Sequence, residues 1–297
     1  MKRSSENCRR GFALKCIIRL ACVAVVGTVI CPAARGADLG ALQADRALSD
    51  ALAKSNRTLV ASLMDDEFAW TDADGRTRTK AEALEHLPEL LTDNQGDSDV
   101  QTHDFGQVER IVGVHHGDRF VRLWVKRPTG WRAFILIDVP IPANGYPNHP
   151  SPVQHPGKDC VNPCKVLPYT PQNAAQEGAM QSWLVTKMDE WHAIKTDWPK
   201  HISDTMVVIS PTMWFNKAGR LDLLAKQYDA YGDGNFSPAV ESMRMFDFGD
   251  AVIMTAIHAP GGPSGKRAYA VRMFVKERDG WKGALSAQTD IKDTKNP

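Results

Sequence analysis

The sequence predicts an α+β protein made of two copies of one small domain, preceded by a leader that belongs to neither copy. Three observations carry this. The first 36 residues differ in composition from everything after them, a proline-rich stretch divides the remainder, and one strand–turn–strand pattern occurs twice at a fixed offset. A chain of 297 residues with 43% apolar and 24% charged residues has ordinary globular composition and length for about two domains.

Residues 1–36 read as an export signal. Lys2, Arg3, Arg9, Arg10, Lys15 and Arg19 form a basic stretch, Leu20 to Cys31 an apolar run, and Ala34 and Gly36 supply the small residues of a cleavage site. The apolar run is far shorter than the roughly 20 residues a membrane-crossing helix needs. Arg9-Arg10-Gly11-Phe12 is similar to a twin-arginine signal, and the general secretory route stays open beside it. The expected location is periplasmic or secreted. Cys31 follows Thr-Val-Ile and so lacks the small residue of a lipoprotein site. Without the leader the formal charge of +1 becomes about −5, which gives no footprint for nucleic acid and no reason to expect membrane binding after signal removal.

The first domain is expected over 37–145. Leu42, Leu48, Leu52, Leu59 and Leu63 fall at helical spacing across 38–64, a short strand follows through Phe68 and Trp70, and Ala73-Asp74-Gly75-Arg76 makes a turn. A second helix is expected from Lys80 to Leu91, then strands near 108–114, 120–126 and 131–139, the last two joined as a hairpin. Hairpin-linked strands imply an antiparallel sheet.

Residues 146–170 read as a linker, since nine of the 18 prolines lie between Pro140 and Pro171. Cys160 and Cys164 sit there in Cys-Val-Asn-Pro-Cys, and close cysteines in an exported protein are expected to pair as a disulfide. His149 and His155 make a zinc loop the alternative, but the spacing fits no familiar zinc pattern, and no metal is assigned. The second domain, over 171–297, opens with Thr170-Pro171 and a helix carrying Met180, Trp183, Leu184, Met188, Trp191 and Ile194 as one stripe. Strands at 206–209, 240–248, 252–258, 269–276 and 281–287 and a helix at 221–231 complete it.

Arg122-Leu-Trp124-Val-Lys126 with Gly130-Trp131 reappears as Arg272-Met-Phe274-Val-Lys276 with Gly280-Trp281, offset by 150 throughout. Strand alternation puts Arg122 and Trp124 on one face and Arg272 and Phe274 on the matching one. If those faces turn inward, Trp70, Arg122, Trp124, Trp131, Arg272 and Phe274 line pockets suited to a small hydrophobic ligand bearing a carboxylate or carbonyl; if outward, the arginines are solvated. Trp183, Trp191 and Trp198 are read as packing, or as a surface for pairing if exposed.

The run Asp65-Asp66-Glu67-Phe68-Ala-Trp70-Thr-Asp72-Ala-Asp74-Gly75-Arg76, with Lys80-Ala-Glu-Ala-Leu84 and Gly130-Trp131-Arg132, resembles the nuclear transport factor two-like superfamily and within it the SnoaL-like group. The resemblance covers about residues 38 to 140 and is looser in the second half. It implies two tandem cone-shaped domains, helices packed on a curved antiparallel sheet around a pocket, and an internal pseudo-dimer or a homodimer. It implies no cofactor. Isomerase-like members hold a catalytic base where Asp72 falls, but their phenolic donor would fall near Leu48, so half the pair is missing. Enolate chemistry needs both base and oxyanion donor, the latter worth about 3 kcal/mol. Asp72 and Asp74 can equally shape their own turn. Three functions therefore stay open: a non-catalytic binder with the better pocket in its first domain; a cofactor-free isomerase, dehydratase or cyclase acting on a hydrophobic carbonyl compound; and a cell-envelope interaction module.

Overall fold

The structure is a computed structural model that describes residues 40–87, 90, 96–142, 159–192, 194–231, 238–261 and 264–292; the expected leader, His149 and His155 lie outside them. Helix α1 (Ala41–Ala53) buries Ala41, Ala44, Leu48, Ala51 and Leu52 on one face. It stops where Ser55 takes a positive φ of 52°, and Asn56 starts α2 (Arg57–Leu63) by accepting the Leu59 N–H on its side chain. The single opening helix expected across 38–64 is therefore two. Strand β1 (Met64–Thr71) and the short β2 (Thr77–Thr79) flank the predicted turn, where Gly75 has a φ of +74°. Thr79 and Glu82 then form a reciprocal capping box on α3 (Lys80–Glu85). Strands β3 (Asp97–Asp104), β4 (Val108–His115), β5 (Asp118–Arg127) and β6 (Gly130–Val139) complete the half.

The second half contains α4 (Ala174–Trp191), a 3-10 turn at Trp198–His201, β7 (Ile202–Ser210), β8 (Met213–Asn216), α5 (Lys217–Tyr231), β9 (Val240–Asp247), β10 (Ala251–Gly261), β11 (Lys266–Glu277) and β12 (Gly280–Asp290). The two six-stranded sheets share one order, β2-β1-β6-β5-β4-β3 and β8-β7-β12-β11-β10-β9. Both are mixed, because β1 runs parallel to β6 and β7 parallel to β12 while the other neighbours are antiparallel. No hairpin links those parallel partners, so the hairpin rule that foretold an antiparallel sheet does not reach them.

The fold is α+β with two tandem halves. Helices α1, α2 and α3 cover one face of the first sheet, sharing a core with Ile111, Phe120, Trp124, Trp131 and Leu136. On the second sheet, α4 packs with Met243, Val252, Met254 and Phe274, and α5 supplies Leu224 to a smaller cluster with Ile202 and Val208. The opposite faces close on each other: Val121, Leu123, Val125 and Ile137 share one core with Val271, Met273, Val275 and Leu285. The order of layers is helix, sheet, sheet, helix, and Asp38–Pro297 is one compact unit. Arg110 crosses that core to donate to the carbonyls of Thr205 (2.9 Å) and Ala284 (2.6 Å). Truncating Leu123 or Met273 to alanine is expected to cost about 2–5 kcal/mol.

Cys160 and Cys164 are joined as a disulfide packed on Trp191 and Met188 of α4. Between them Asn162 exchanges hydrogen bonds with the Val240 backbone, 3.0 Å to its carbonyl and 2.9 Å from its N–H. The described end of the connector is thereby tied to α4 and to the start of β9.

Candidate ligand sites in the two cones

Alternation along β5 decides which side chains meet the helices. Val121, Leu123 and Val125 enter the core between the sheets, so Phe120 and Trp124 turn toward α1 together with Arg122. Arg122 is 2% exposed, and its Nη1 donates to Asp45 Oδ2 of α1 (2.9 Å) and to Asp97 Oδ2 of β3 (2.8 Å), with Nη2 reaching Asp97 Oδ1 at 3.2 Å. Asp45 Oδ1 also accepts the Trp124 indole N–H at 3.1 Å, and Asp97 Oδ1 meets His115 Nδ1 at 2.8 Å. The guanidinium lies over the Phe120 ring, 3.9 Å from its centroid. Burial raises the Asp45 carboxyl despite Arg122; burial alone would lower Arg122, but Asp45 and Asp97 outweigh it.

Beside this network Trp70 donates to Asp138 Oδ2 at 2.8 Å, and burial lifts that carboxyl to about 6. Asp72 has both oxygens engaged: Oδ1 accepts the N–H groups of Asp74 and Arg76, each at 3.0 Å, and Oδ2 accepts Arg78 Nη1 at 2.6 Å. Arg78 in turn covers the Trp70 ring. Trp131 is buried in the helix-side core, with Lys126 over its ring. The first interior therefore brings Trp70, Arg122, Trp124 and Trp131 together and places Asp72 in a turn.

The second interior reuses the positions with different residues. Arg272 pairs across the ladder with Met254 and Ser286, as Arg122 does with Ile111 and Leu136. His258 on β10 matches His115 on β4, each opposite the residue four before the arginine, Ala268 and Asp118. Gln288 matches Asp138, each opposite the residue two before it. From the helix layer Trp183 of α4 stands where Asp45 stands in the first half, meeting both the arginine and the aromatic residue two positions on. Arg272 lies 5.6 Å over its ring, and the Phe274 ring is stacked 6.4 Å from it.

Arg272 is 8% exposed and has no carboxylate in contact among the described residues. Its Nη1 donates to the carbonyls of Val271 (3.2 Å) and Ala287 (2.7 Å), and its Nη2 to Gln288 Oε1 (3.3 Å). Burial holds it down to about 10. His258 stacks on Trp183 at 6.1 Å, and burial, with Arg272 adding to it, lowers its imidazole to about 3, so the ring is neutral. Its Nδ1 is 3.1 Å from the Pro238 carbonyl, which can only accept, so Nδ1 carries the proton and Nε2 presents a lone pair. Among the described residues, that Nε2 and the Trp183 Nε1 N–H are both buried without a hydrogen-bond partner. One turn further along α4, Lys187 and Arg220 hold Glu190 at 2.6 and 3.3 Å; burial would raise this carboxyl, but the two cations pull it to about 2. Trp191 and Trp198 are buried as well.

Spacing along the chain did not single out Asp45, Asp97, Asp138, His258, Lys187, Glu190 or Arg220 as site residues. Two left a trace: Asp45 interrupts an apolar stripe three residues from both Leu42 and Leu48, and His258 ends the inward alternation Val252, Met254, Ala256. Among the described residues no group of His, Cys, Asp and Glu could hold a metal ion, and no helix is long and apolar enough to cross a membrane.

These features define a tandem α+β protein with two helix-covered sheet interiors of one plan and opposite electrostatic character. No protein-family model and no curated protein matches the chain. Similar solved structures include an NTF2-like protein from Cytophaga hutchinsonii, 14% identical over 33% of this chain and 93% of that one, with a TM-score of 0.28. An NTF2-like protein of unknown function in nutrient uptake from Rhodospirillum rubrum is 25% identical over 33% and 94% of the respective chains, with a TM-score of 0.26. A putative Ca/calmodulin-dependent kinase II association domain from Exiguobacterium sibiricum is 17% identical over 36% and 93%, with a TM-score of 0.28.

Proposed function

We propose that the chain is an extracytoplasmic small-molecule-binding protein, a tandem of SnoaL-like cones in which the second cone takes the ligand and the first backs it as an internal pseudo-dimer partner. The observation that carries this is the set Trp183 Nε1, His258 Nε2 and Arg272: a buried donor, a buried acceptor and a buried cation, the first two without hydrogen-bond partners and the third without a carboxylate in contact among the described residues. Buried polar groups are paired in the great majority of cases, so a cluster left open is a place where another molecule supplies the missing bonds. The leader-like first 36 residues and the disulfide support an oxidising compartment. Engagement of both Asp72 oxygens supports binding over proton abstraction by that residue. The burial of Trp183, Trp191 and Trp198 supports the binder over an interaction module built on those tryptophans.

One observation favours a second reading for the first cone. A carboxyl held near 6 by burial and fixed by an indole N–H, as Asp138 is, suits proton transfer near neutral pH in an isomerase, dehydratase or cyclase acting on a hydrophobic carbonyl compound. The test of both is to purify the protein from the exported fraction and compare native with denaturing mass spectra. A stoichiometric small molecule released on unfolding supports the binder. Turnover of that molecule, abolished by Asp138→Asn, replaces binding with catalysis, and a ligand-free protein across growth conditions removes the binder.

A further inference from the structure

Resting on the reading of the second cone as a ligand site, the chemistry of its wall narrows what that ligand is. Charge comes first. Arg272, Lys187 and Arg220 face one carboxylate, Glu190, and only Lys187 and Arg220 touch it. Asp189, next along α4, is engaged elsewhere: after burial its carboxyl is acted on most by His201, and it does not act on Arg272. At the matching places in the first cone, Asp45, Asp97 and Asp138 surround one arginine. A neutral ligand would leave the second excess uncorrected, whereas an anion supplies the counter-charge whose absence makes a buried cation costly.

Hydrogen bonding comes second. Trp183 Nε1 can only donate and His258 Nε2, with the proton on Nδ1, can only accept, so the missing partner must offer both an acceptor and a donor. A carboxylate provides acceptors but no donor at neutral pH; a neighbouring hydroxyl provides the donor. Shape comes third. The walls are Trp183 and Phe274 with Met243, Met245 and Met254, and Met180 lies against them. Methionine repacks easily around an incoming group, which matters because both unpartnered atoms are sealed and entry requires side chains to move aside. Lys187, Glu190 and Arg220 are only partly buried and form the more open side of the cluster.

We infer that the second cone binds a small apolar hydroxy acid, its carboxylate on Arg272 and Trp183 Nε1, its hydroxyl donating to His258 Nε2, and its hydrocarbon body against Phe274 and the methionines. No covalent step is involved.

Titration calorimetry and thermal melting of the exported protein with three probes test this: 3-phenyllactate, 3-phenylpropionate, which lacks the hydroxyl, and 3-phenyllactamide, which lacks the charge. Phenyllactate is expected to bind at one site and raise the melting temperature, phenylpropionate to bind about tenfold more weakly, and the amide at least tenfold more weakly than its acid. Arg272→Met is expected to abolish binding of both acids. His258→Phe keeps the ring and removes the acceptor, so it is expected to erase the preference for phenyllactate over phenylpropionate; this variant carries the test if Arg272→Met does not fold. An amide that binds as well as the acid, or a neutral molecule released in the native mass spectrum, overturns the hydroxy-acid assignment and leaves the binder standing. Silence of all three probes together with a ligand-free native spectrum overturns both.

Discussion

Arg122 and Arg272 occupy the same place in two copies of one strand, yet the first is enclosed by carboxylates and the second by rings and backbone carbonyls. The helix residue facing each arginine makes part of the difference, and Asp97 of β3 adds a second carboxylate to Arg122. Asp45 satisfies both Arg122 and Trp124 and completes its interior, while Trp183 meets Arg272 and Phe274 and leaves two polar atoms open. The arginine and the aromatic two positions on belong to the duplicated scaffold. Whether they form a closed ion network or leave polar atoms unmatched depends on what the neighbouring layers bring: Asp45 and Asp97 in the first half, Trp183 in the second.

The sharpest way to break this comparison is by pH, because the two cones respond in opposite directions. His258 is depressed to about 3 from 6.5, so its neutral form contributes stability that is present above about pH 6.5 and lost as pH falls toward 3, up to about 4–5 kcal/mol. Urea unfolding across that window is expected to show the loss in the parent and a flatter profile in His258→Phe. A matched arginine pair comes next. Arg122→Met strands Asp45 and Asp97 and is expected to cost about 3–5 kcal/mol in denaturant unfolding, whereas Arg272→Met removes a cation with no ion partner and is expected to be near neutral or stabilising. Equal costs would show that the two interiors are not electrostatically different.

Asp138 gives the opposite pH response to His258. Its carboxyl is raised from 3.8 to about 6, so the stability it contributes is full below about pH 3.8 and lost as pH rises to about 6, up to about 3 kcal/mol. Asp138→Asn keeps an acceptor for the Trp70 indole and is expected to flatten that slope, moving the first cone toward the neutral Gln288 of the second. Reducing the Cys160–Cys164 loop is expected to lower stability by about 2 kcal/mol, as its short span implies, and to be read as a lower melting temperature under dithiothreitol. An effect of similar size, about 2 kcal/mol in unfolding, is expected for Asp72→Ala, which removes the acceptor of its turn and the carboxylate on buried Arg78, with no change in ligand release by native mass spectrometry.

Much of the architecture was legible because it rests on local periodicity. The repeated Arg-x-aromatic strand with its Gly-Trp turn located β5–β6 and β11–β12, and the stripe through Trp183 located α4. Strands β2, β3 and β8 escaped notice for physical reasons. β2 and β8 are short, and β3 is a polar edge strand, Asp97 to Asp104, almost wholly exposed, with no alternation to read. The open break at Ser55 was hidden because a leucine stripe runs across it without regard to the backbone.

By itself the sequence determined the duplication, the α+β class, the pairing of Cys160 with Cys164 and the shared face of Arg122 with Trp124, since each follows from spacing along one chain segment. Only the tertiary structure decided what meets each arginine. Asp45 and Trp183 lie 77 and 89 positions from their arginines, and a partner brought from another layer of the fold leaves no periodic signal at either end. The charge balance of an interior is set by such distant meetings, through burial that magnifies every unmatched charge, so the contrast between the two cones exists only in three dimensions.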